Sequence, residues 1–156
     1  MAAADVPGRL LITGASCKLG LVILHHLLHT LHVDPQYIVA GTSSPDSDVL
    51  QIYKDQGVDV RYFDAKDPAS VFAAADGVER ALLISNREND TSASHALAMR
   101  GLVKAGVQHI VYTCLQAADV SLAAIAPIHH TSEKMLEPSS VPNYAALRNL
   151  RTCYRR

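Results

Sequence analysis

The sequence predicts an α/β fold in which a doubly wound parallel sheet carries helices on both faces. Three observations support this. Short apolar runs alternate with amphipathic runs along the chain, joined by brief turns. The first apolar run ends in a glycine turn that opens directly into a helical pattern. The strand runs are apolar at consecutive positions, as in strands buried on both faces. Right-handed crossovers then give the strand order 3-2-1-4-5-6, with a crevice at the strand carboxyl ends beside the first strand. At 156 residues the chain is one domain's worth, without an internal repeat or a low-complexity linker.

The first strand is expected at 9–13. A helix over 18–32 places Ile23, Leu24, Leu27, Leu28 and Leu31 on one face. Asp34-Pro35 stops it, because the residue before proline is pushed out of the helical region. A strand at 37–41 and a turn cluster, Thr42-Ser43-Ser44-Pro45-Asp46, come next. The helix at 47–56 carries Val49, Leu50, Ile52 and Tyr53, and Gly57 suits the left-handed position after it. The strand at 58–63 places Val58, Val60 and Tyr62 on one side. Asp67-Pro68 reads as an N-cap with proline at the first helical position of a helix over 68–75, closed by Gly77. A strand at 78–85, a polar loop at 86–90, a helix at 92–105 ending at Gly106 and a strand at 107–113 continue the alternation. An irregular stretch containing Pro127 leads to a short helix at 131–136 and a last strand at 144–147. The tail from Asn149 carries three arginines and no apolar period.

The composition narrows the function. A net charge of -1 offers no electrostatic footing for nucleic acid or an anionic membrane. Aromatics are 5% and tryptophan is absent, so base-stacking platforms are not expected. Cys17, Cys114 and Cys153 are an odd number without a C-x-x-C pair, which fits reduced thiols in a cytoplasmic protein. The start has no basic segment followed by a long apolar one, so no signal peptide is expected. No apolar run is long enough to span a bilayer.

The chemistry centres on Gly14, Ala15, Ser16, Cys17, Lys18, Leu19 and Gly20. Gly14, Cys17 and Gly20 have the spacing of a G-x-x-G-x-x-G dinucleotide loop whose middle glycine has become cysteine. Such a loop presents backbone N–H groups at a helix N-terminus, where a pyrophosphate can sit. Gly14 would permit the tight turn and Gly20 the close packing of helix on strand. Were the middle position to need positive φ, cysteine would cost roughly 1–2 kcal/mol; otherwise its thiol crowds the phosphate.

Several other groups are candidates. Thr42, Ser43 and Ser44 at the end of the second strand include neither the carboxylate that suits NAD nor the arginine that suits NADP. Lys18 could meet a phosphate or be a solvated first-turn residue; on that lysine the reading leans to NADP. Asp64 could accept from an adenine amino group or cap a turn near Asp67. Ser85 and Asn86 end the fourth strand beside the expected nicotinamide path, though polar residues are ordinary at a strand end and that reading is favoured. His25, His26, His29 and His32 lie opposite the leucine face, which favours a solvated stripe over a metal site. Tyr62 and Lys66 have the Tyr-x-x-x-Lys spacing of a proton-transfer pair but span a strand end and a turn, so the spacing is read as chance. His130 and Lys134 have the same spacing with histidine in the tyrosine place, and His129, Glu133 and Lys134 are alternatives, but the residues alone favour an ordinary polar surface helix. Cys114 lacks an activating partner in sequence and reads as a buried small residue.

Taken together, these segments resemble a known family. Thr13-Gly14-Ala15-Ser16-Cys17-Lys18-Leu19-Gly20 is similar to the T-G-A-T-G-K-L-G loop of NmrA-like atypical short-chain dehydrogenase/reductases, nearest to their NAD(P)H:quinone oxidoreductase branch. The resemblance continues through Ile38-Val39-Ala40-Gly41-Thr42, Val60-Arg61-Tyr62-Phe63-Asp64 and Leu82-Leu83-Ile84-Ser85. It extends over Ala105-Gly106-Val107-Gln108-His109-Ile110-Val111-Tyr112-Thr113, Ala126-Pro127-Ile128-His129 with Glu133-Lys134, and Leu147-Arg148-Asn149. The resemblance implies a Rossmann-like domain over 1–149 with a divergent tail at 150–156. It implies binding of NAD or NADP and, in some members, hydride transfer to quinones; other members only sense the nucleotide. By position, Gly14 through Gly20 would form the phosphate loop, and Thr42 is counted with the cofactor-binding residues. Asp64 would lie by the adenine, Ser85 by the ribose–nicotinamide path and Lys134 near the nicotinamide end as the catalytic candidate.

The departures from the family are specific. Cys17 replaces the central glycine, Ser43 stands where an arginine is common, and Cys114 replaces a serine. Pro142-Asn143-Tyr144 is one residue longer than the usual P-Y. After Asn149 the family's G-W/F-Y and its substrate-covering segment are not found, so the chain reads as truncated, with the C-terminal substrate part missing. The apolar surface this would bare is a reason to expect self-association.

Overall fold

In the computed structural model, residues 8–85, 92–136 and 143–149 are described. The strands are β1 (Arg9–Thr13), β2 (Ile38–Thr42), β3 (Asp59–Tyr62), β4 (Val78–Leu83), β5 (His109–Leu115) and β6 (Asn143–Asn149). The helices are α1 (Lys18–His29), α2 (Asp48–Asp55), α3 (Pro68–Ala74), α4 (Ser92–Lys104) and α5 (Ala126–Lys134). All six strands form one parallel sheet in the order β3-β2-β1-β4-β5-β6. This is the expected doubly wound order, and β1 lies at its switch point, flanked by β2 and β4.

The sheet separates two cores. Along β1 and β2, successive residues enter opposite faces: Leu11 and Val39 join one core, Ile12 and Ala40 the other. Leu11 pairs with Val39 and Ile12 with Ala40, so each core receives a matched row. The first core also takes Val71 from α3 and Ala98, Met99 and Leu102 from α4. The second takes Leu24 and Leu28 from α1 and Leu50 and Tyr53 from α2. Burying each such leucine contributes roughly 1.5–3 kcal/mol.

Several boundaries shift from expectation for identifiable reasons. α1 stops at His29 rather than at 32: Thr30 and Leu31 both donate to the His26 carbonyl, and His32 turns left-handed at φ 52. Leu31 therefore leaves the apolar face and is 58% exposed. β3 keeps Val58 buried at its entry but exposes Tyr62. The largest difference is α5, which begins at Ala126 and ends at Lys134, where a helix over 131–136 was expected. Pro127 lies in its first turn, where no N–H is needed, so proline starts this helix rather than interrupting the chain. Gly57, Gly77 and Gly106 take positive φ after their helices, as expected.

Candidate nucleotide site

The site begins where β1 runs out. At Gly14 the chain turns with φ +61, a conformation that glycine adopts without strain. Ala15 N donates to the Gly41 carbonyl at 3.0 Å and Cys17 N to the Gly14 carbonyl at 2.9 Å, fixing the loop against β2. Gly20 packs against that loop from α1. A Cβ there would stand 2.4 Å from the Gly14 carbonyl oxygen and 2.8 Å from the Ala15 Cα. Any side chain would push the helix off the turn.

Cys17 has φ -77 and ψ 163, ordinary extended backbone, so the conditional strain penalty does not arise. The residue instead caps α1: its Sγ accepts from Gly20 N at 3.4 Å. Sulfur is a weak acceptor, but it occupies a donor at the helix N-terminus.

Gly14, Ser16 and Cys17 form one wall of a 240 Å³ cavity. Thr42 and Ser43 at the end of β2, and Asp64 just beyond β3, form another. The Ser16 and Thr42 hydroxyls lie 2.9 Å apart, and Thr42 Oγ1 also accepts from Ser44 N at 3.1 Å. One Asp64 carboxylate oxygen accepts from Lys66 N at 2.9 Å, so Asp64 does cap a turn while lining the cavity. From α4, Ser94 and His95 complete the wall.

The remaining expected residues divide. Ala15 is fully buried under the loop, while Lys18 and Leu19 are exposed in the first turn of α1. Ser85 lies one residue past the wall residue Ile84, and its N–H donates to Thr113 Oγ1 at 3.1 Å. Lys134 lines a different cavity, of 320 Å³, with Asp119, His130, Glu133, Tyr144 and Arg148. The structure therefore gathers Gly14, Ser16, Cys17, Thr42 and Asp64 around one space and places Lys134 at another. Asn86, Pro142 and the tail 150–156 lie outside the described residues.

Charge organises the second cavity. Arg148 Nε donates to Glu133 at 3.0 Å, and the Cys114 thiol donates to the same carboxylate at 3.5 Å. The Arg148 hydrogen bond is the main reason the Glu133 carboxyl is held below its usual range. Burial, then the Glu133 charge, pushes the Cys114 thiol up to about 11. A thiol that stays protonated at neutral pH is no nucleophile. His25, His26 and His29 are exposed on the outer side of α1, and His32 is exposed just beyond its end. Among the described residues, no cluster of three or more His, Cys, Asp or Glu is placed to hold a metal.

Two residues that carry structure here were given no role from the sequence. His95 and Tyr112 lie in apolar surroundings and are 2% and 0% exposed. Tyr112 Oη is 3.2 Å from both His95 Nδ1 and His129 Nδ1, and Ser132 Oγ is 2.8 Å from His95 Nδ1. A histidine on the buried face of α4 was the available signal.

The sheet order, the crevice at its switch point and the glycine turn define a Rossmann-type domain. The chain is a homologue of NmrA-like and quinone oxidoreductases. It is 37% identical over 139 residues to quinone oxidoreductase 2 of Escherichia coli (strain K12), a match covering 88% of this chain and 47% of that protein. It is 29% identical over 141 residues to an NmrA-like family domain-containing oxidoreductase of Aspergillus flavus, covering 85% of this chain and 45% of the relative. Among solved structures, the NADPH-dependent quinone oxidoreductase of Escherichia coli complexed with NADPH superposes with a TM-score of 0.81 at 37% identity, over 90% of this chain and 48% of that one. Citrobacter sp. triphenylmethane reductase complexed with NADP(H) gives a TM-score of 0.81 at 31% identity, over 90% and 49%. The chain thus spans about half the length of the curated relatives it matches. No family model matches it.

Proposed function

We propose that the chain is the dinucleotide-binding domain of an NAD(P)H-dependent oxidoreductase of the NmrA-like type, reducing quinones by analogy with its relatives. The observation that carries this is the Gly14 turn with Gly20 packed on it, at the carboxyl end of the central strand. That arrangement brings bare backbone and a helix N-terminus to one point, which suits a pyrophosphate. The surrounding groups fit the rest of a dinucleotide: the Ser16 and Thr42 hydroxyls can reach ribose or phosphate oxygens, and Asp64 can accept from an adenine amino group. Ser85 would lie along the path toward the nicotinamide. Bound there, the nucleotide would supply a hydride.

Lys134 is the catalytic candidate, offering a cationic donor to orient or protonate a carbonyl oxygen at the neighbouring cavity. NADP is favoured over NAD: the two solved relatives above carry NADP(H), and Lys18 offers a positive charge at the mouth of the loop. A cytoplasmic location fits the odd number of cysteines without a C-x-x-C pair; among the described residues, no helix is long and apolar enough to cross a membrane.

Calorimetry with NADPH and NADH is the test. Binding of either, with quinone-dependent oxidation above the buffer rate, supports the proposal; no binding of either at millimolar concentration ends it. A second reading, a non-catalytic nucleotide sensor or interaction protein, draws on β6. That strand ends the sheet with Tyr144 and Leu147 41% and 48% exposed. Self-association measured by light scattering, with nucleotide binding but no quinone reduction, would select it.

A further inference from the structure

Among the described residues that line the candidate nucleotide cavity there is one lysine and no arginine, and the lysine is Lys66. Tyr62, four residues before it, is exposed at the end of β3 and is not part of the lining. The backbone holds Lys66 in place. Asp64 Oδ1 accepts from Lys66 N at 2.9 Å, and Asp67 N donates to the Asp64 carbonyl at 2.9 Å, closing a turn between β3 and α3. Asp67 caps α3 behind that turn, accepting from Ala69 N at 3.0 Å. Phe63 N donates to the Thr42 carbonyl at 2.9 Å, which ties the start of the turn to the end of β2. Lys66 thus belongs to the same wall as Thr42, Ser43 and Asp64. It is exposed, and its ammonium enters no ion pair among the described residues.

Charge decides what this wall can read. In a Rossmann-type crevice the end of the second strand faces the adenosine ribose, where a carboxylate suits the 2′-hydroxyl of NAD and a cation the 2′-phosphate of NADP. The hydroxyls of Ser16, Thr42 and Ser43 can donate or accept, so they meet either group and discriminate weakly. Asp64 puts a negative charge on the wall, which alone would oppose a 2′-phosphate. Lys66 offsets that charge and brings three donors on a flexible stem. Lys18 stands in the first turn of α1 and is not among the lining residues.

We propose that Lys66 is the residue that selects NADP over NAD, its ammonium meeting the 2′-phosphate from the turn after β3 where Ser43 offers no cation after β2. This rests on the reading of that cavity as the nucleotide site. Asp64 then has two tasks: one carboxylate oxygen fixes the point from which the Lys66 stem starts, and the other is left to accept from the adenine amino group.

The test is calorimetry of NADPH and of NADH with the full chain, its Lys66→Ala, Lys66→Arg and Lys18→Ala variants. The wild-type chain is expected to bind NADPH more tightly than NADH. Lys66→Ala is expected to weaken NADPH roughly tenfold, the scale of one charge-assisted hydrogen bond at an exposed site, and to leave NADH within about twofold. Lys66→Arg should keep the preference, and added salt should shrink it. Equal losses for the two nucleotides in Lys66→Ala, or no loss, overturn the proposal. So does a preference that survives Lys66→Ala and disappears in Lys18→Ala. Lys66 is exposed and its backbone hydrogen bond survives truncation; if the alanine variant nevertheless does not fold, Lys66→Gln takes its place with the same expectations. A wild-type chain that binds both nucleotides equally overturns this proposal and leaves the reading of the cavity standing, whereas one that binds neither removes that reading and the proposal with it.

Discussion

Two cysteines show how position decides the chemistry of one side chain. Cys17 is partly exposed at the cap of α1, whereas Cys114 is buried and donates to Glu133. With its thiol pushed up to about 11, Cys114 should resist iodoacetamide at pH 7.5, while Cys17 is alkylated. Peptide mapping by mass spectrometry reads this directly, and NADPH should protect Cys17 if the loop is occupied. Early labelling of Cys114 would contradict the description of its surroundings. Gly14 and Gly20 differ in the same instructive way. At Gly14 a Cβ meets nothing nearer than Ile84 at 3.6 Å, so Gly14→Ala should cost only the left-handed strain, about 1–2 kcal/mol in thermal or urea unfolding. At Gly20 the obstacle is backbone at 2.4 Å, so Gly20→Ala should displace the helix and abolish nucleotide binding.

At the scale of elements, the opposite end of the sheet holds a charge cluster that makes its own prediction. Arg9 on β1 and Arg61 on β3 both bind Asp59, at 2.7 and 2.8 Å, spanning β2 between them. Burial works to raise the Asp59 pKa, but hydrogen bonds and charge from Arg61 and Arg9 outweigh it and lower the value. A lowered folded pKa gives stability that is present above the unfolded carboxylate value and lost as pH falls through the folded one. Asp59→Asn should therefore cost roughly 0.5–1 kcal/mol at pH 7, discounted for solvent screening, and flatten the acid limb of a stability–pH curve. An unaltered acid limb would show that the cluster contributes nothing. The elements themselves were largely legible, because parallel strands and capped helices leave local marks: consecutive apolar residues, Asp67-Pro68, a glycine after a helix. α5 was misread because Pro127 marks both a break and a helix start, and nothing local distinguishes the two. The end of α1 was misread because Leu31 continues the apolar period beyond the last hydrogen-bonded turn.

At the scale of the molecule, what was legible at the site was what the local chain dictates. The turn at Gly14 and the packing of Gly20 follow from spacing alone. The role of Cys17 did not, since whether its position needs positive φ depends on how the loop closes against Gly41. The His95–Tyr112–His129–Ser132 group was invisible, because its members come from separate elements and meet only when α4 and α5 pack against β5. The chain's match to about half the length of its relatives bears on the substrate side, where Lys134 lines a cavity of its own. The central claim lies on the other side, at the loop after β1. Cys17 brings a thiol to the loop and occupies the Gly20 N–H, both of which oppose an anion at the helix N-terminus. Calorimetric titration of NADPH into the wild-type chain and into Cys17→Gly tests this most directly. We predict that both bind and that the glycine variant binds more tightly; no binding to either chain, or equal or weaker binding by Cys17→Gly, would contradict the account.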